Sequence, residues 1–374
     1  MAVFLGVHNI VSPLGYSSKK NFESLLSEKS ALRVRTFGFS DTAFCCSKLE
    51  EASLDRAFLA LGDPEQYTRL EKMCILSIQE VVTQSKTDLG DEGTLLIIST
   101  TKGNIDLLEN RHQTISLQRA YLHQFANTLG GFFKSKHTPL VVSNACISGL
   151  LALIIGGRLL EHKKYRQIIV CGGDIVSEFT LSGFKSFNAL SATPCKPFDA
   201  ARAGINLGEA AASILISARE ISDLVLYSGA SSNDATHISA PSRSGDGLYQ
   251  AIEQTFKKLD PKEVDFISAH GTATEYNDDM ESVALSKAGL NALPTNSLKG
   301  YFGHTLGAAG LLESIVALQS LTENILVKSA GFQTAGTVQP VNIITEWKKQ
   351  ELHTCLKTAS GFGGCNAAAI FKKI

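Results

Sequence analysis

The stretch Pro139-Leu-Val-Val-Ser-Asn-Ala-Cys146-Ile-Ser-Gly-Leu-Leu-Ala-Leu153 joins two apolar patterns through one short turn. Its first residues predict a buried strand, and the apolar residues after Cys146 predict a helix. A cysteine in such a turn lies at a helix N-terminus, where free N–H groups and the positive end of the dipole favour a thiolate and stabilise an oxyanion. A small buried residue at a strand–helix junction is the alternative, and this context alone leaves both interpretations open.

Strand and helix patterns alternate along the chain on both sides of this turn. Apolar runs predict strands over residues 94–99, 140–143, 167–171, 211–217, 264–269 and 368–371. Helical spacing predicts helices over residues 18–26, 70–84, 117–129, 148–161, 247–259, 280–288 and 308–321. This alternation predicts an α/β fold with largely buried sheets. A short charged stretch at residues 217–223 divides the chain into two predicted domains, residues 1–218 and residues 219–374.

Two histidines of the second predicted domain are candidates for an active site. His270 ends the apolar run Val264-Asp-Phe-Ile-Ser-Ala-His270, and His304 lies in a glycine-rich stretch after Lys299. Functional residues of α/β proteins collect beyond the carboxyl ends of strands. A structural role is the alternative for either histidine alone. Metal binding would favour a paired spacing such as His-x-x-x-His, which the sequence lacks.

These residue types together suit a condensation of thioesters. A thiol holds one acyl group while neutral histidine Nε2–H groups donate to the enolate that forms as a malonyl thioester loses carbon dioxide. A lysine nearby would orient a histidine or lower its pKa. The sequence therefore predicts one site made of Cys146, His270, His304 and Lys299.

Composition excludes several other classes of protein. The 374 residues are 44% hydrophobic and 19% charged, with a formal net charge of -1 and no long basic run, so nucleic-acid binding is not expected. The apolar run at residues 149–160 is too short to span a membrane, and the start of the chain reads as a strand rather than a secretory leader. Eight scattered cysteines without a Cys-x-x-Cys pair favour a reducing, cytoplasmic location.

Five segments in order resemble the chain-elongating β-ketoacyl-acyl carrier protein synthases of the thiolase superfamily. They are Asn144-Ala-Cys146-Ile-Ser-Gly, Lys196-Pro-Phe-Asp199 continuing to Arg202 and Glu209, His270-Gly-Thr272-Ala-Thr274 continuing to Asp278 and Glu281, Lys299-Gly-Tyr-Phe-Gly-His304 continuing to Glu313, and Gly361-Phe362-Gly-Gly-Cys365-Asn366. The resemblance covers nearly the whole chain. It implies an α/β, thiolase-like five-layer αβαβα sandwich of two related halves, one with the nucleophile and one with the histidines, usually as a dimer.

The resemblance implies how the central residues act. Cys146 would carry the acyl chain, His270 and His304 would assist decarboxylation and condensation, and Lys299 would support them. No metal and no diffusible organic cofactor would be needed, because an acyl carrier protein delivers the substrate on a phosphopantetheine arm.

The resemblance also implies supporting roles around this centre. The backbone N–H groups of Cys146 and Phe362 would form an oxyanion hole, and Phe362 would gate the acyl pocket. Glu313 would be a buried structural acid near the histidine–lysine cluster, and Thr272 and Thr274 would support the site.

Three departures from the family pattern bear on specificity. Ala203 stands where the family usually has an acid, and Cys365 stands where it often has Thr or Ser. Thiolases use a second cysteine as acid and base, so a non-decarboxylating thiolase is one alternative. The compact stretch 190–199 is similar to synthases of polyene pathways, so we expect fatty-acid, polyketide or aryl-polyene-type biosynthesis.

Other assemblies and partners remain open at this stage. A chain-initiating synthase usually has Asn where this chain has His304. The histidine therefore favours a chain-elongating synthase. The chain would be a homodimer, or the active subunit of a heterodimer with a homologous subunit of the chain-length-factor type. An acyl carrier protein is acidic, so Arg69 and Lys72, on the predicted helix 70–84 and its approach, are candidates for its docking.

Overall fold

Each half of the chain contributes five strands arranged in the same order and direction. A computed structural model describes residues 2–109, 114–256 and 259–374. In the first half, β5, β4 and β6 are parallel neighbours, and β8 and β1 follow antiparallel. In the second half, β11, β10 and β14 are parallel neighbours, and β15 and β9 follow antiparallel. The strands are β1 (Val3–Val11), β2 (Arg33–Phe37), β3 (Ser40–Ser47), β4 (Thr94–Ser99), β5 (Leu140–Val142), β6 (Gln167–Asp174), β7 (Leu207–Gly208), β8 (Ala210–Ser217), β9 (Leu224–Asn233), β10 (Phe266–Ser268), β11 (Thr295–Asn296), β12 (Ile325–Leu326), β13 (Lys348–Lys349), β14 (Thr354–Gly361) and β15 (Cys365–Lys373).

The helices form three layers around these two sets of strands. Helix α3 packs on the outer face of the first half, and α7 packs on the outer face of the second. Helices α5 and α10 lie between the halves and contact each other and strands of both. The helices are α1 (Ser18–Leu26), α2 (Glu51–Phe58), α3 (Arg69–Ser85), α4 (Leu122–Phe132), α5 (Ser148–Glu161), α6 (Glu178–Ser186), α7 (Asp246–Thr255), α8 (Glu275–Lys287), α9 (Lys299–Phe302) and α10 (Ala309–Glu323). The predicted five-layer, thiolase-like sandwich of two related halves is confirmed.

The two central helices approach each other at a pair of glycines. A Cβ on Gly149 of α5 would lie 2.7 Å from the backbone nitrogen of Leu311, and a Cβ on Gly310 of α10 would lie 2.7 Å from that of Leu150. Both distances are shorter than any van der Waals contact, so each position requires glycine. The contact is reciprocal and fixes the two helices to each other directly beyond Cys146 and His304.

The sequence-based boundaries are correct where one local pattern determines the element. The predicted strand 94–99 and helices 18–26 and 148–161 have the observed bounds. The predicted helix 117–129 is instead a 3-10 turn followed by α4, because Tyr121 between them has an extended backbone. The predicted helix 247–259 ends as α7 at Thr255, and residues 257–258 lie outside the described residues.

Candidate active site

A cavity of about 420 Å³ lies where the loops of the two halves meet. Cys146 enters it from the first half, and His270 and His304 enter it from the second. Thr272 and Phe362 also line its wall. The structure therefore brings the predicted nucleophile and both predicted histidines to one place.

The turn that carries Cys146 is held in an unusual backbone conformation. Ala145 has a φ of +44°, in the left-handed region that a residue with a side chain rarely adopts. The Ser148 hydroxyl accepts from the Asn144 N–H at 2.8 Å and donates to the Ala145 carbonyl at 2.6 Å. The chain thus turns between β5 and α5, and Cys146, in this turn, lines the cavity.

Burial of Cys146 opposes the thiolate that the helix N-terminus favours. The side chain is buried, and this burial raises the pKa of the Cys146 thiol to about 12, with a smaller contribution from the Cys365 thiol. Lys299 and Lys102 oppose that shift but do not cancel it. The helix N-terminus therefore faces a neutral thiol at pH 7, since loss of water from the thiolate outweighs the attraction of nearby positive charge.

The loop after β14 lies directly beside the nucleophile. A Cβ placed on Gly361 would be 2.9 Å from the backbone nitrogen of Cys146, so the Gly361 backbone packs against the turn that carries Cys146. The next residue, Phe362, is held between two rings of the segment at α6. Its centroid lies 5.4 Å from Phe184 in a stacked arrangement and 5.5 Å from Phe187 in an edge-on one.

The local contacts of His304 determine which ring nitrogen carries the proton. Its Nδ1 accepts from the Leu306 N–H at 3.2 Å, which leaves the proton of the neutral ring on Nε2. That Nε2 is buried and has no hydrogen-bond partner among the described residues. The His304 backbone N–H donates to the Asn206 carbonyl at 2.7 Å, which ties this loop to the first half.

His270 follows β10 and is held by the carboxylate of Glu281. Glu281 accepts from the backbone N–H groups of His270 at 2.9 Å and Gly271 at 2.8 Å. The His270 ring lies 5.2 Å from the His304 ring, nearly perpendicular to it, and its Nδ1 is buried without a hydrogen-bond partner in the part of the chain that is described. Burial, and then the charge of Lys299, hold the pKa of each histidine well below its usual value, so both rings are neutral at pH 7.

A buried ion cluster lies behind the two histidines. Lys299 donates to the His270 carbonyl at 2.8 Å and to Glu313 Oε1 at 2.5 Å. The second oxygen of Glu313, Oε2, lies 2.7 Å from the ammonium group of Lys357. Lys299 and Glu313 therefore support the cavity from outside its lining. Sequence analysis missed Lys357, although one lysine in an otherwise apolar or small-residue strand was a usable signal.

Two predicted supporting residues form a polar strip on the cavity wall. The hydroxyls of Thr272 and Thr274 are 2.8 Å apart, and both residues line the cavity. Asp278 fixes their loop by accepting from the N–H groups of Thr272 at 2.8 Å and Phe198 at 2.7 Å. Ala203, which replaces the usual acid, lines the same cavity.

Cys365 packs behind the cavity instead of facing it. Its thiol donates to the carbonyls of Asn144 at 3.7 Å and Phe362 at 3.4 Å, which joins the nucleophile turn to the loop after β14. Burial raises the pKa of Cys365 to about 11. Its thiol is therefore neutral and engaged with backbone oxygens.

The proposed docking residues Arg69 and Lys72 are wrong. Both side chains are buried under α2, because acidic residues of that helix cover them. Arg69 forms ion pairs with Glu209 and Glu51, and Lys72 contacts Glu51 at 2.9 Å and also Asp55. A carrier protein has no access to charges that are already paired inside the molecule.

The described part of the chain lacks two features, a membrane-spanning helix and a metal-binding cluster. Within residues 2–109, 114–256 and 259–374, no helix is long and apolar enough to cross a membrane. The same residues contain no group of three His, Cys, Asp or Glu side chains placed to hold a metal ion.

Comparison with known proteins places the chain among condensing enzymes. Residues 9–220 match the model of the β-ketoacyl synthase N-terminal domain, and residues 224–333 match that of the C-terminal domain. A putative mitochondrial 3-oxoacyl-[acyl-carrier-protein] synthase of Schizosaccharomyces pombe is 26% identical, with 97% of each chain covered. A putative polyketide β-ketoacyl synthase of Streptomyces halstedii is 26% identical over 96% of this chain and 95% of its own.

A solved structure with the same fold is the ketosynthase of Xenorhabdus doucetiae in complex with its chain length factor. It superposes with a TM-score of 0.89 at 24% identity and covers 100% of this chain and 98% of its own.

Proposed function

This chain belongs to the β-ketoacyl synthase family and is a 3-oxoacyl-acyl carrier protein synthase, and we propose that it joins an acyl group held on Cys146 to malonyl-acyl carrier protein with loss of carbon dioxide. The condensation serves fatty-acid or polyketide synthesis. One observation carries the proposal. A buried thiol and two neutral histidines share one cavity, and the protonated Nε2 of His304 has no other partner among the described residues.

The first step of the proposed reaction transfers an acyl group to Cys146. The thiol attacks the carbonyl of an acyl thioester, its proton passes to the departing phosphopantetheine thiol, and a new thioester forms on the protein. Gly361 packs against the Cys146 backbone and Phe362 follows it directly, so we propose that the N–H groups of Cys146 and Phe362 bind the oxyanion of this step.

The second step breaks and makes a carbon–carbon bond. The malonyl group loses carbon dioxide, and the electron pair left behind becomes an enolate whose oxygen accepts from His304 Nε2–H and from His270. The enolate carbon attacks the Cys146 thioester, the carbon–sulfur bond breaks, and the thiol recovers a proton. Neutral histidines suit this step, because a donor that keeps its own proton stabilises the enolate without quenching it.

Contacts at the mouth of the cavity support a carrier-bound substrate. We propose that the hydroxyls of Thr272 and Thr274 bind the phosphopantetheine arm, which would enter along the polar strip they form. No other cofactor is needed for either step. The aromatic rings of Phe184, Phe187 and Phe362 would then face the acyl chain or the arm, and an aryl-polyene-type chain remains our proposal for the substrate class.

The contacts of Cys365 argue against the thiolase alternative. A thiolase needs a second thiol that exchanges a proton with the substrate, whereas this thiol is outside the described lining of the cavity and donates to two carbonyls. The buried cluster of Lys299 and Glu313 lies behind two neutral histidines, and the decarboxylating reaction uses such histidines as donors to the enolate.

A second synthase-like subunit is our proposal for the partner at the edge of the first sheet. Strand β5 ends the sheet, and its Leu140 is 39% exposed although it lies six residues before the nucleophile. Leu117 and Tyr121 are also more than half exposed. Large apolar side chains of this kind are typical of interaction surfaces. The native mass of the chain alone, compared with the chain co-expressed with a homologous subunit, separates a homodimer from a heterodimer.

The test of the proposed reaction is the release of carbon dioxide. The protein is primed with an acyl-carrier substrate and given radiolabelled malonyl-carrier substrate, and labelled carbon dioxide is counted beside the β-ketoacyl product. We expect one carbon dioxide for each product formed. Condensation of acetyl thioesters without carbon dioxide would establish the thiolase reaction instead.

A further inference from the structure

Lys357 is a fully buried lysine in the middle of β14, and its ammonium group is surrounded by oxygen atoms. It donates to the backbone carbonyls of Ser268 at 3.1 Å, Ala269 at 3.3 Å and Thr358 at 2.8 Å, and it lies 2.7 Å from Glu313 Oε2. Burying an ammonium group is expensive unless its donors and its charge are satisfied. The carbonyls satisfy its donors, and Glu313, which it shares with Lys299, compensates part of its charge, while burial lowers the pKa of Lys357.

The contacts of Lys357 continue those of Lys299 along the same piece of backbone. Lys299 binds the His270 carbonyl and Glu313 Oε1, while Lys357 binds the two preceding carbonyls and Glu313 Oε2. Three successive carbonyls that end at His270 therefore bind two ammonium groups held by one carboxylate. Strand β10 is only three residues long, so these bonds add much of what holds its end in place.

We propose that Lys357 is a positioning residue for the condensation step, which acts through Glu313 and through the backbone of residues 268–270 to set the place of His270. The inference rests on the proposed function, because it assigns the lysine to that reaction. Lys357 is not among the described residues that line the cavity, so it does not touch the substrate. It works from behind the two histidines.

The charge of Lys357 has a second effect on the same site. After burial and Lys299, it contributes to holding the pKa of His270 and His304 below the usual value. The charged or titratable groups that face it are Glu313, Lys299, Glu281, His270, His304 and Cys355. Loss of the lysine removes a positive charge near both rings, so the pKa values of His270 and His304 rise. As the pH falls, the rings then become protonated at a higher pH than in the parent.

Two variants separate the position of the backbone from the charge. Lys357→Met removes charge and donors, whereas Lys357→Gln removes the charge and keeps an amide donor for the carbonyls. We expect Lys357→Met to lower the condensation rate about thirtyfold and to move the acid limb of its pH profile upward. Acylation of Cys146 should stay within about threefold of the parent. Lys357→Gln should show the same shift in pH with a smaller loss of rate.

The matched control is Lys372→Met in the neighbouring strand β15, where the lysine is partly exposed and pairs with Glu263. It should leave the rate and the pH profile unchanged within about twofold. Circular dichroism and thermal melting identify the variants that fold. If Lys357→Met does not fold, the Lys357→Gln protein decides the question.

A titration without turnover keeps the inference separate from the proposed function. Carbon-13-labelled histidine is followed by NMR from pH 4 to 8, with His270 and His304 assigned by substitution. Higher pKa values in the folded variants than in the parent support the proposal. Unchanged titration, or acylation that falls as much as condensation, would make Lys357 merely structural and overturn it. A parent that titrates as expected but releases no carbon dioxide would refute the proposed reaction alone.

Discussion

The two halves of the molecule share one strand arrangement but place their site residues by different means. In the first half, the turn between β5 and α5 holds Cys146, and its shape depends on the backbone of Ala145 and on the Ser148 hydroxyl. In the second half, the turn between β11 and α10 holds His304, and buried ions hold the backbone that ends at His270. Burying a neutral thiol costs little free energy, so the first half needs only to fix the orientation of the Cys146 side chain. Histidines that must stay neutral beside a charged substrate need fixed positive charge nearby.

Removing the thiol of the first half tests this comparison most severely. Cys146→Ser should reduce condensation to below about one thousandth of the parent, because no other cysteine of the described residues lines the cavity. The measurement is the rate of β-ketoacyl product, together with mass spectrometry of the parent after incubation with acyl-carrier substrate. An adduct on Cys365 or Cys171, with Cys146 unmodified, would show that Cys146 does not hold the acyl group.

Removing either histidine of the second half should have the next largest effect. His270→Ala and His304→Ala should each lower condensation about a hundredfold or more, the usual scale for loss of a transition-state donor. Self-acylation of Cys146 should survive better, since the histidines are proposed to act on the enolate of the second step. The exposed His353 supplies the control, and His353→Ala should behave like the parent. Near-normal condensation in both site variants would contradict the three-residue site.

The protonation of Cys146 gives a smaller effect that sharpens the contrast. Because its pKa is raised to about 12, the thiolate fraction should grow about tenfold for each unit of pH between 6 and 9. The rate of inactivation by iodoacetamide should rise by the same factor. A plateau below pH 8 would mean that the helix N-terminus prevails over burial, as the sequence alone led us to expect. The Cys146→Ser protein, measured in parallel, gives the background reaction of the other cysteines.

The smallest effect is expected at the contact that joins the two halves behind the cavity. Cys365→Ser should keep condensation within about threefold of the parent, because a hydroxyl can still donate to the carbonyls of Asn144 and Phe362. The free energy of unfolding should fall by at most about 1–2 kcal/mol. Rates of product formation and urea unfolding curves measure both. Loss of activity in the folded variant would give Cys365 a chemical role and revive the thiolase interpretation.

Local patterns predicted the elements that carry the site, because each depends on residues close in sequence. The strand before Cys146, helix α5 after it and the strand before His270 follow from short apolar runs. The five quoted segments then implied the fold and the partners of the cysteine, and the structure brings those residues together. Their catalytic roles stay predictions.

The missed features depend on contacts between distant segments. The proposed role of Lys357 depends on its contacts with Glu313 and the end of β10, and neither is near it in the sequence. Arg69 looked like a surface residue of α3 because nothing in its own helix shows that α2 covers it. The burial that opposes a thiolate at Cys146 is hidden from the sequence for a similar reason. A helix N-terminus is visible in a sequence, but the loss of water around a thiol is not.

The glycine contact between α5 and α10 bears on how the protein is made. Gly149 and Gly310 meet only after the chain has been synthesised almost to its last strands, and the contact closes a loop of nearly half the protein. Contacts so distant in sequence form slowly and late in folding. While the chain emerges from the ribosome, Cys146 has no histidine beside it and no cavity around it. Under the proposed mechanism, condensation therefore waits until the second half has docked, and a chain truncated before α10 would carry Cys146 and both histidines but would lack Glu313, Lys357 and Phe362.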